Sequence, residues 1–321
     1  MTDTSLNDKL LLRTAALWNI EPVKVNRSVE ISGSPERSEL RYVIEGADQQ
    51  RYVLESILAK DLEIKKNIID RLNTLKAGNL HGINTYLESA AQNVIEHFMG
   101  RYWKLSRFID GCELKRPEYV FEKWRGDVLS DFLIRLRKIS DSSEMLSESS
   151  IFSLKEYVIK LSSEIREFNP EVAEELAPVF SFLEQGFLKN HDQLEMAFCH
   201  GDYHPVNVIW GSTGIEAVID WEFCGVKPEI YDAANLLGCL GIEQPDSLAG
   251  PFSLAFINSL KEADLFSALS WQNLISVIVA IRFAWLAEWL RKKDTEMIEM
   301  ELVYMKILVN NEKQLSEIWE I

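Results

Sequence analysis

Two carboxylates and an amide interrupt apolar stretches between positions 200 and 222. Asp202 follows a glycine, Asn207 comes five positions later at the start of an apolar run, and Asp220 ends the next such run. Transfer of a phosphoryl group needs an acceptor for the hydroxyl proton and metal ions that bridge the phosphates, because the transition state carries its charge on oxygens. Oxygen ligands suit magnesium. If these three side chains converge on one point, they supply a base and two ligands for Mg²⁺.

The same segment supports two other interpretations. Asp202, Asn207 and Asp220 are, one by one, residue types that commonly cap turns and end strands. Capping gives no reason, however, for all three to be delivered to one end of a pair of strands. His200, Asp202 and His204 also alternate as H-x-D-x-H, which could ligate a transition metal in a hydrolase. No histidine follows His204, so a dinuclear site would be short of nitrogen ligands.

The polar residues are expected at the mouth of a small hairpin. Short apolar runs at 206–210 and 217–219 flank a turn at 211–214, and this pattern predicts two short strands. Most of the remaining chain beyond Asp110-Gly111 has apolar residues at helical spacing. The predicted helices of this part are 120–140, 150–168, 173–190, 272–292 and 296–317.

The first hundred residues show the alternation that is typical of strands. The predicted strands are 28–31, 39–45, 51–57, 85–88 and 101–109, and one helix is predicted at 61–75. We therefore expect an α+β fold in two domains. Residues 1–109 would form a small antiparallel sheet with one helix, and residues 110–321 a larger, mainly helical domain.

The composition is that of an acidic globular protein, with 321 residues, 47% of them hydrophobic, and a formal net charge of −16. This charge repels phosphate backbones, so nucleic acid is not an expected partner. No uninterrupted run of eighteen apolar residues and no secretory signal is visible, so we expect no membrane partner and a cytoplasmic location. Four scattered cysteines without a C-x-x-C pair argue against a disulfide framework or a structural zinc site. A monomeric or homodimeric state is expected.

A family resemblance appears at these residues. The pattern H-G-D-x-x-x-x-N from His200 to Asn207, followed by I-D-W-E at 219–222, resembles the catalytic signature of the aminoglycoside phosphotransferase and choline kinase family. The segment I-Y-D-A-A-N-L-L at 230–237 is similar to the helix that follows the metal carboxylate in that family. The resemblance implies a two-lobed protein-kinase-like fold. It also implies a small-molecule hydroxyl as acceptor, with ATP or another nucleoside triphosphate and Mg²⁺ as co-substrate.

The resemblance also implies a role for each residue that matches the signature. Asp202 would be the catalytic base and His200 would organise the catalytic loop. Asn207 and Asp220 would bind Mg²⁺, and Asp232 would buttress the loop.

Other residues are expected at the nucleotide and the acceptor. Gly33 and Ser34 would contact phosphates through their backbone N–H groups. The strand 103–109, with Ser106 and Phe108, resembles the connection that holds adenine. Four acceptor candidates are expected, three because they neighbour the catalytic residues and one because a guanidinium among apolar residues of a helix needs an anionic partner. These candidates are Tyr203, His204, Glu222 and Arg282.

The acceptor itself is not selected by the sequence. The family phosphorylates aminoglycosides, amino sugars, choline and homoserine. An acidic pocket would favour amines, whereas Arg282 in the pocket would favour a carboxylate or a phosphate. Trp285 and Trp289 share a helix face with Arg282, and this face would either border the acceptor or belong to the core.

One position departs from the family pattern. The strand 51–57 usually carries a lysine that contacts the α- and β-phosphates, whereas the aligned residue here is Glu55. One hypothesis is a charge-swapped pair, in which Lys65 or Lys66 neutralises Glu55 while magnesium carries the phosphates. Another is an exposed glutamate without a role. The departure also keeps open an alternative function, that of a catalytically weak pseudokinase or a regulatory nucleotide-binding module.

Overall fold

The computed structural model describes residues 7–33, 38–143, 145 and 152–321, and these form a mixed α+β fold. The strands are β1 (Pro22–Asn26), β2 (Leu40–Gly46), β3 (Arg51–Ile57), β4 (Ile95–Phe98), β5 (Arg101–Arg107), β6 (Met196–Cys199), β7 (Val208–Trp210), β8 (Ile215–Val218) and β9 (Gly225–Pro228). The α-helices are α1 (Asp8–Ala15), α2 (Leu62–Ala77), α3 (Lys123–Asp141), α4 (Leu154–Phe168), α5 (Pro170–Gln185), α6 (Phe187–Asn190), α7 (Tyr231–Glu243), α8 (Pro251–Glu262), α9 (Ala268–Gln272), α10 (Leu274–Lys292), α11 (Thr295–Asn310) and α12 (Glu312–Trp319).

The chain divides into two compact units. The sheet unit comprises the described residues of Met1–Glu113 together with Val206–Glu222, and the helical unit comprises those of Leu114–Pro205 and Phe223–Ile321. The hairpin segment Val206–Glu222 therefore groups with the N-terminal sheet, although it lies almost a hundred residues beyond it in the sequence. The boundary expected at residues 109 and 110 stays a prediction.

The sheet unit is built on an antiparallel sheet with the strand order β1-β2-β3-β5-β4. Side chains alternate between the two faces of a strand, and β5 shows this clearly. Trp103 and Leu105 are buried in the apolar core that α1 helps to form, together with Leu54 of β3. Lys104 lies between Trp103 and Leu105 and belongs to the opposite face, yet it is buried as well. The second face of the sheet therefore contains a buried charged side chain.

The hairpin β7–β8 is attached to the rest of the sheet unit by backbone hydrogen bonds. The N–H of Cys112 donates to the carbonyl of Trp210 over 2.6 Å, and the N–H of Val218 donates to the carbonyl of Gly82 over 2.7 Å. The first bond joins the hairpin to the segment after β5, and the second joins it to the segment after α2. The predicted hairpin is confirmed, and these bonds fix its position in the sheet unit.

The helical unit has α10 at its centre, where it packs against α7 and α11, while α3 packs against α8. Strands β6 and β9 form a two-stranded antiparallel ribbon in this unit. Within the ranges that the structure describes, no helix has the length and apolarity that a membrane span requires.

Several predicted elements differ from the observed ones. No strand occupies 28–31, because the edge strand β1 lies earlier, at Pro22–Asn26. Residues 85–88 form only one bridge, between Tyr86 and Ser106, and the other edge strand is β4. The predicted helix 173–190 is divided at Gly186, and the predicted helix 296–317 is divided at Asn311. Helices α1 and α8 were not predicted.

Candidate active site

A loop of the helical unit carries Asp202 immediately after strand β6. The N–H groups of His200 and Gly201 donate to the carboxylate of Asp232, over 2.7 and 2.8 Å. Gly201 has φ +85°, and a Cβ atom at this position would overlap the carbonyl oxygen of Phe223. The turn therefore requires glycine, both for its left-handed backbone and for lack of space.

Asp232 is brought to this loop by the first turn of helix α7. Burial raises its pKa to about 6. The two N–H donors oppose that rise because they favour the charged form, whereas nearby Asp202 adds to it. The position matches the predicted buttress, because the carboxylate holds the two residues that precede Asp202.

His200 is completely buried, and its Nδ1 accepts a hydrogen bond from the N–H of Asp202 over 3.2 Å. In this contact Nδ1 accepts through its lone pair. This contact fits the predicted loop-organising role of His200.

The Asp202 side chain is 17% exposed, and its Oδ1 lies 3.5 Å from Nε2 of His204. Tyr203 points the other way. Its side chain is fully buried, its hydroxyl donates to the carbonyl of Leu129 over 2.9 Å, and its ring stacks on Phe132. This placement favours an anchoring role for Tyr203 over the predicted contact with the acceptor.

Asn207 and Asp220 lie at the open end of the β7–β8 hairpin in the sheet unit. Val208 pairs with Val218, and the N–H of Ile219 donates to the carbonyl of Asn207 over 2.9 Å. Asn207 therefore takes part in the last backbone hydrogen bond of the hairpin, and Asp220 follows it directly. Asp220 adopts a left-handed backbone with φ 67°. Aspartate tolerates this conformation better than most residues, and it ends the strand there.

The donor set fits a magnesium ion. One carboxylate and one amide oxygen are hard ligands, and Mg²⁺ in phosphate sites uses one or two protein ligands beside water and phosphate oxygens. Among the described residues there is no group of three His, Cys, Asp or Glu side chains that could hold a metal ion. The alternative of a transition-metal hydrolase therefore lacks a ligand set in the part of the chain that the structure describes.

An open pocket lies within the sheet unit, against the second face of the sheet. It encloses about 840 Å³ of empty space, the solvent at its mouth included. Its walls carry seven charged side chains, four of them cations. These residues are Arg41, Glu55, Lys65, Lys104, Arg107, Asp220 and Glu222.

Three charged residues form a row across neighbouring strands in this pocket. Arg41 on β2 pairs in register with Glu55 on β3, which pairs in register with Lys104 on β5. The Glu55 carboxylate lies 3.2 Å from Nε of Arg41 and 3.3 Å from Nζ of Lys104. Burial alone would raise the pKa of Glu55, but Lys104 and Arg41 outweigh burial and lower it. Glu55 is therefore buried and ion-paired, and the expectation that it is exposed is wrong.

The hypothesis of a Glu55 pair with Lys65 or Lys66 is corrected as well. Lys65 forms an ion pair with Glu222, and Lys66 is exposed and bonds Glu63 over 2.7 Å. Lys104, on a strand rather than on the helix, takes the expected place beside Glu55. Burial, and then the neighbouring charge of Lys104, lower the pKa of Lys65.

The predicted nucleotide residues meet in the same pocket. Gly33, Ser106 and Phe108 all line it. The carbonyls of Ser32 and Gly33 accept hydrogen bonds from the Arg41 guanidinium, at 2.8 and 3.3 Å. Ser34, the other predicted phosphate contact, lies outside the described residues. The N–H of Phe108 donates to the carbonyl of Arg51.

The acceptor candidates separate into two groups. Glu222 lines the sheet-unit pocket, whereas His204 lies in the helical unit, 6.4 Å from the ring of Trp285. Trp285 in turn stacks on Trp289 at 6.2 Å, and both tryptophans are half-buried. The structure thus places an aromatic pair beside the His204 that neighbours Asp202.

Arg282 lies over the ring of Trp285, 5.3 Å from its centroid. It is 3% exposed, and its guanidinium makes a two-pronged ion pair with the buried Glu301 of α11, in which Nε lies 2.9 Å from Oε2. The sequence argument required a partner carboxylate or a ligand anion, and the carboxylate is Glu301. This placement favours a structural role for Arg282 over the predicted contact with the acceptor.

Sequence reasoning missed Arg41, Lys104 and Arg107 as pocket residues. A signal existed for Lys104, because a lysine between Trp103 and Leu105 must face away from the apolar core on the other side of the strand. Nothing in the sequence alone placed it beside Glu55, since that depends on the pairing register of β3 with β5.

Comparison with known families confirms the resemblance. The model of the phosphotransferase enzyme family matches residues 34–266, which is well over half of the chain. Comparison with curated protein sequences gives no significant match.

Solved structures with the same fold cover nearly the whole chain. A microcompartment-associated aminopropanol kinase has a TM-score of 0.68 and 12% sequence identity, over 96% of this chain and 98% of that chain. The GDP complex of aminoglycoside 2'-phosphotransferase-IIIa has a TM-score of 0.67 and 18% identity, over 94% and 97%. Amicoumacin kinase in complex with AMP-PNP, Ca²⁺ and Ami has a TM-score of 0.62 and 13% identity, over 95% and 94%.

At these identities the structural matches establish the fold, and the family model establishes the class. The kinase-like α+β architecture was predicted and is confirmed. The chain belongs to the phosphotransferase enzyme family and is a small-molecule kinase that acts on hydroxyl groups.

Proposed function

We propose that the chain transfers the γ-phosphoryl group of a magnesium-bound nucleoside triphosphate, with ATP as the first candidate, to a small molecule. The sheet-unit pocket carries this proposal. In a chain of net charge −16, the pocket gathers Arg41, Lys65, Lys104 and Arg107 in one place. Two of these cations, Lys65 and Lys104, are buried, and the three carboxylates of the pocket balance only part of the positive charge of the four.

In this mechanism Asn207 and Asp220 hold the metal ion. A metal ion held there would supply positive charge that stabilises the charge developing on the phosphate oxygens. Asp202 accepts or orients the proton of the attacking hydroxyl. Asp232 and His200 fix the backbone on which Asp202 stands, so that its carboxylate is held in place before the substrate arrives.

For the acceptor we propose a hydroxylated amine or an amino sugar. Half-buried Trp285 lies next to His204 and stacks on Trp289. Aromatic rings attract cationic groups, as Arg282 over Trp285 and Lys292 over Trp289 already illustrate in this chain. Because Glu301 pairs with Arg282, the cue for an anionic acceptor disappears. The names of two structural relatives, an aminopropanol kinase and an aminoglycoside phosphotransferase, point to the same class.

Glu55 favours a second candidate, a nucleotide-binding protein without turnover. The strand position that would carry a phosphate-binding lysine holds a carboxylate, which is bound to two cations. The two candidates differ only in turnover, so one assay separates them.

The test is release of ADP from Mg-ATP in the presence of a panel of amino alcohols, amino sugars and aminoglycosides. We expect turnover with at least one acceptor, and a loss of about 10²- to 10⁴-fold in Asp202→Ala with nucleotide affinity retained. Asp220→Ala should lose affinity for Mg-nucleotide as well. Asp246→Ala, at an exposed aspartate of the helical unit, is the matched control and should behave as the natural chain. Nucleotide binding without turnover on any acceptor would support the second candidate.

A further inference from the structure

The positions of the charged side chains in the sheet-unit pocket distinguish Lys65 from the other cations. Glu55 stands in the centre of the row across the strands, between Arg41 and Lys104. Lys65 enters the pocket from helix α2, opposite the sheet. Arg41, Lys104 and Lys65 thus line one pocket together with the Glu55 carboxylate.

Two of the three cations, Lys104 and Arg41, make several contacts to neighbouring groups of the protein. The ammonium of Lys104 lies 3.3 Å from Glu55 and 2.6 Å from the hydroxyl of Tyr86, and it also lies over the Tyr86 ring at 4.1 Å. Arg41 contacts Glu55 and donates to the carbonyls of Ser32 and Gly33, so it ties the β1–β2 connection to the sheet. Both residues therefore position other groups.

Lys65 differs from Arg41 and Lys104 because it lies on a helix and pairs with another carboxylate. It lies in the first turn of α2, on the same face as Ile68, Ile69 and Leu72, and that face is buried. An ammonium on an apolar helix face is costly unless it meets an anion. Its ion-pair partner Glu222 is two residues from Asp220, the proposed ligand of the metal ion. The lysine is thus held at the place where metal-bound phosphates are expected.

We propose that Lys65 of helix α2 is the cation that binds the phosphates of the nucleotide, and that Glu55, Lys104 and Arg41 form the scaffold behind it. Relative to the family pattern, the two charges are exchanged. The strand carries the carboxylate Glu55, and the helix carries the lysine that binds phosphate. Lys65 exchanges part of its contact with Glu222 for the phosphate oxygens when the nucleotide binds. This inference rests on the proposed function, because it assumes that the pocket takes a nucleotide.

The experiment compares the affinities for ADP and for adenosine, in the presence of Mg²⁺, by titration calorimetry. Lys65→Met should weaken the binding of ADP by about 10- to 100-fold, the value of hydrogen bonds to a charged group, and leave adenosine within about twofold. Lys65→Arg should restore part of the loss, because it keeps the charge. Lys66→Met, which removes an exposed neighbour on the same helix, is the matched control and should change neither affinity.

The outcomes separate the two ideas. If the natural chain binds neither ADP nor adenosine, the proposed function fails. If it binds both and Lys65→Met keeps its preference for ADP, or loses adenosine and ADP equally, the assignment of Lys65 is wrong while the nucleotide site stands.

A measurement on the natural chain covers the case in which Lys65→Met does not fold. Lysines are acylated in the native protein and the modified sites are mapped by mass spectrometry, with Lys66 as the internal reference. We expect Mg-ADP to slow modification of Lys65 while adenosine does not. Equal protection by the two ligands, or none by either in a chain that binds ADP, would contradict the proposal.

Discussion

Two effects act in opposite directions on the protonation of Asp232. It must be charged to accept two backbone N–H bonds well, but its burial favours the protonated form and raises its pKa to about 6. Because this pKa exceeds that of about 3.9 in an unfolded chain, the folded state binds the proton more tightly. The stability from that proton is fully present below about pH 4 and is lost as the pH rises through about 6.

The change Asp232→Asn removes this titration. Relative to the variant, the natural chain should lose about 1 kcal/mol of unfolding free energy between pH 5.5 and 7.5, a range that stays above the isoelectric point. Urea unfolding of both proteins across that range measures the difference. A constant difference would mean that Asp232 does not titrate there.

At the same scale, Glu63 is a control for the role of Glu55 in stability. Glu55 is buried between two cations, whereas Glu63 is exposed and bonds Lys66. Glu55→Gln leaves Arg41 and Lys104 with uncompensated buried charge, so it should lower the free energy of unfolding by about 3 kcal/mol. Glu63→Gln should change it little, because water screens an exposed pair. Denaturant unfolding of the two variants makes the comparison, and similar losses in both would contradict it.

At the scale of elements, the turn between β6 and Asp202, the proposed catalytic base, depends on Gly201. The change Gly201→Ala forces a residue with a Cβ atom into a left-handed backbone against the carbonyl of Phe223. We expect a loss of about 2–3 kcal/mol in stability and a larger loss of kcat than of nucleotide affinity, because the loop that carries Asp202 must shift. Gly214→Ala, in the β7–β8 turn, meets nothing within 4 Å and is the control. If both variants retain full activity, the turn does not position Asp202.

The elements also show what a sequence can predict. The β7–β8 hairpin was predicted because its strands and turn are local and the polar residues at its mouth are close in sequence. The row Arg41–Glu55–Lys104 was not, since it depends on the register of three strands, which alternation alone does not determine. Glu301 as the partner of Arg282 was also missed, because the pair joins two helices whose faces meet only after packing.

At the scale of the whole molecule, the charge of the chain and the charge of its pocket have opposite signs. A formal charge of −16 keeps anions at a distance, while the cations of the sheet unit attract them locally. A nucleotide should therefore stabilise mainly the sheet unit, by mass action on the folded form.

Hydrogen exchange with and without Mg-ADP tests this expectation. Protection should concentrate in β3, β5, α2 and the β7–β8 hairpin, which line the sheet-unit pocket. Helices α4, α5 and α11 of the helical unit are the internal reference and should change little. Equal protection in both sets, or protection in the reference helices alone, would contradict nucleotide binding in the sheet unit.

The assignment of Val206–Glu222 to the sheet unit has a consequence for how the protein is made. A ribosome releases the five-stranded sheet first, but the segment that carries Asn207 and Asp220 emerges about a hundred residues later. The sheet unit therefore stays incomplete during synthesis until the chain has passed residue 222, and no fragment that ends at residue 113 contains the proposed metal ligands. The nascent chain can acquire the proposed nucleotide site only after most of the protein has been translated.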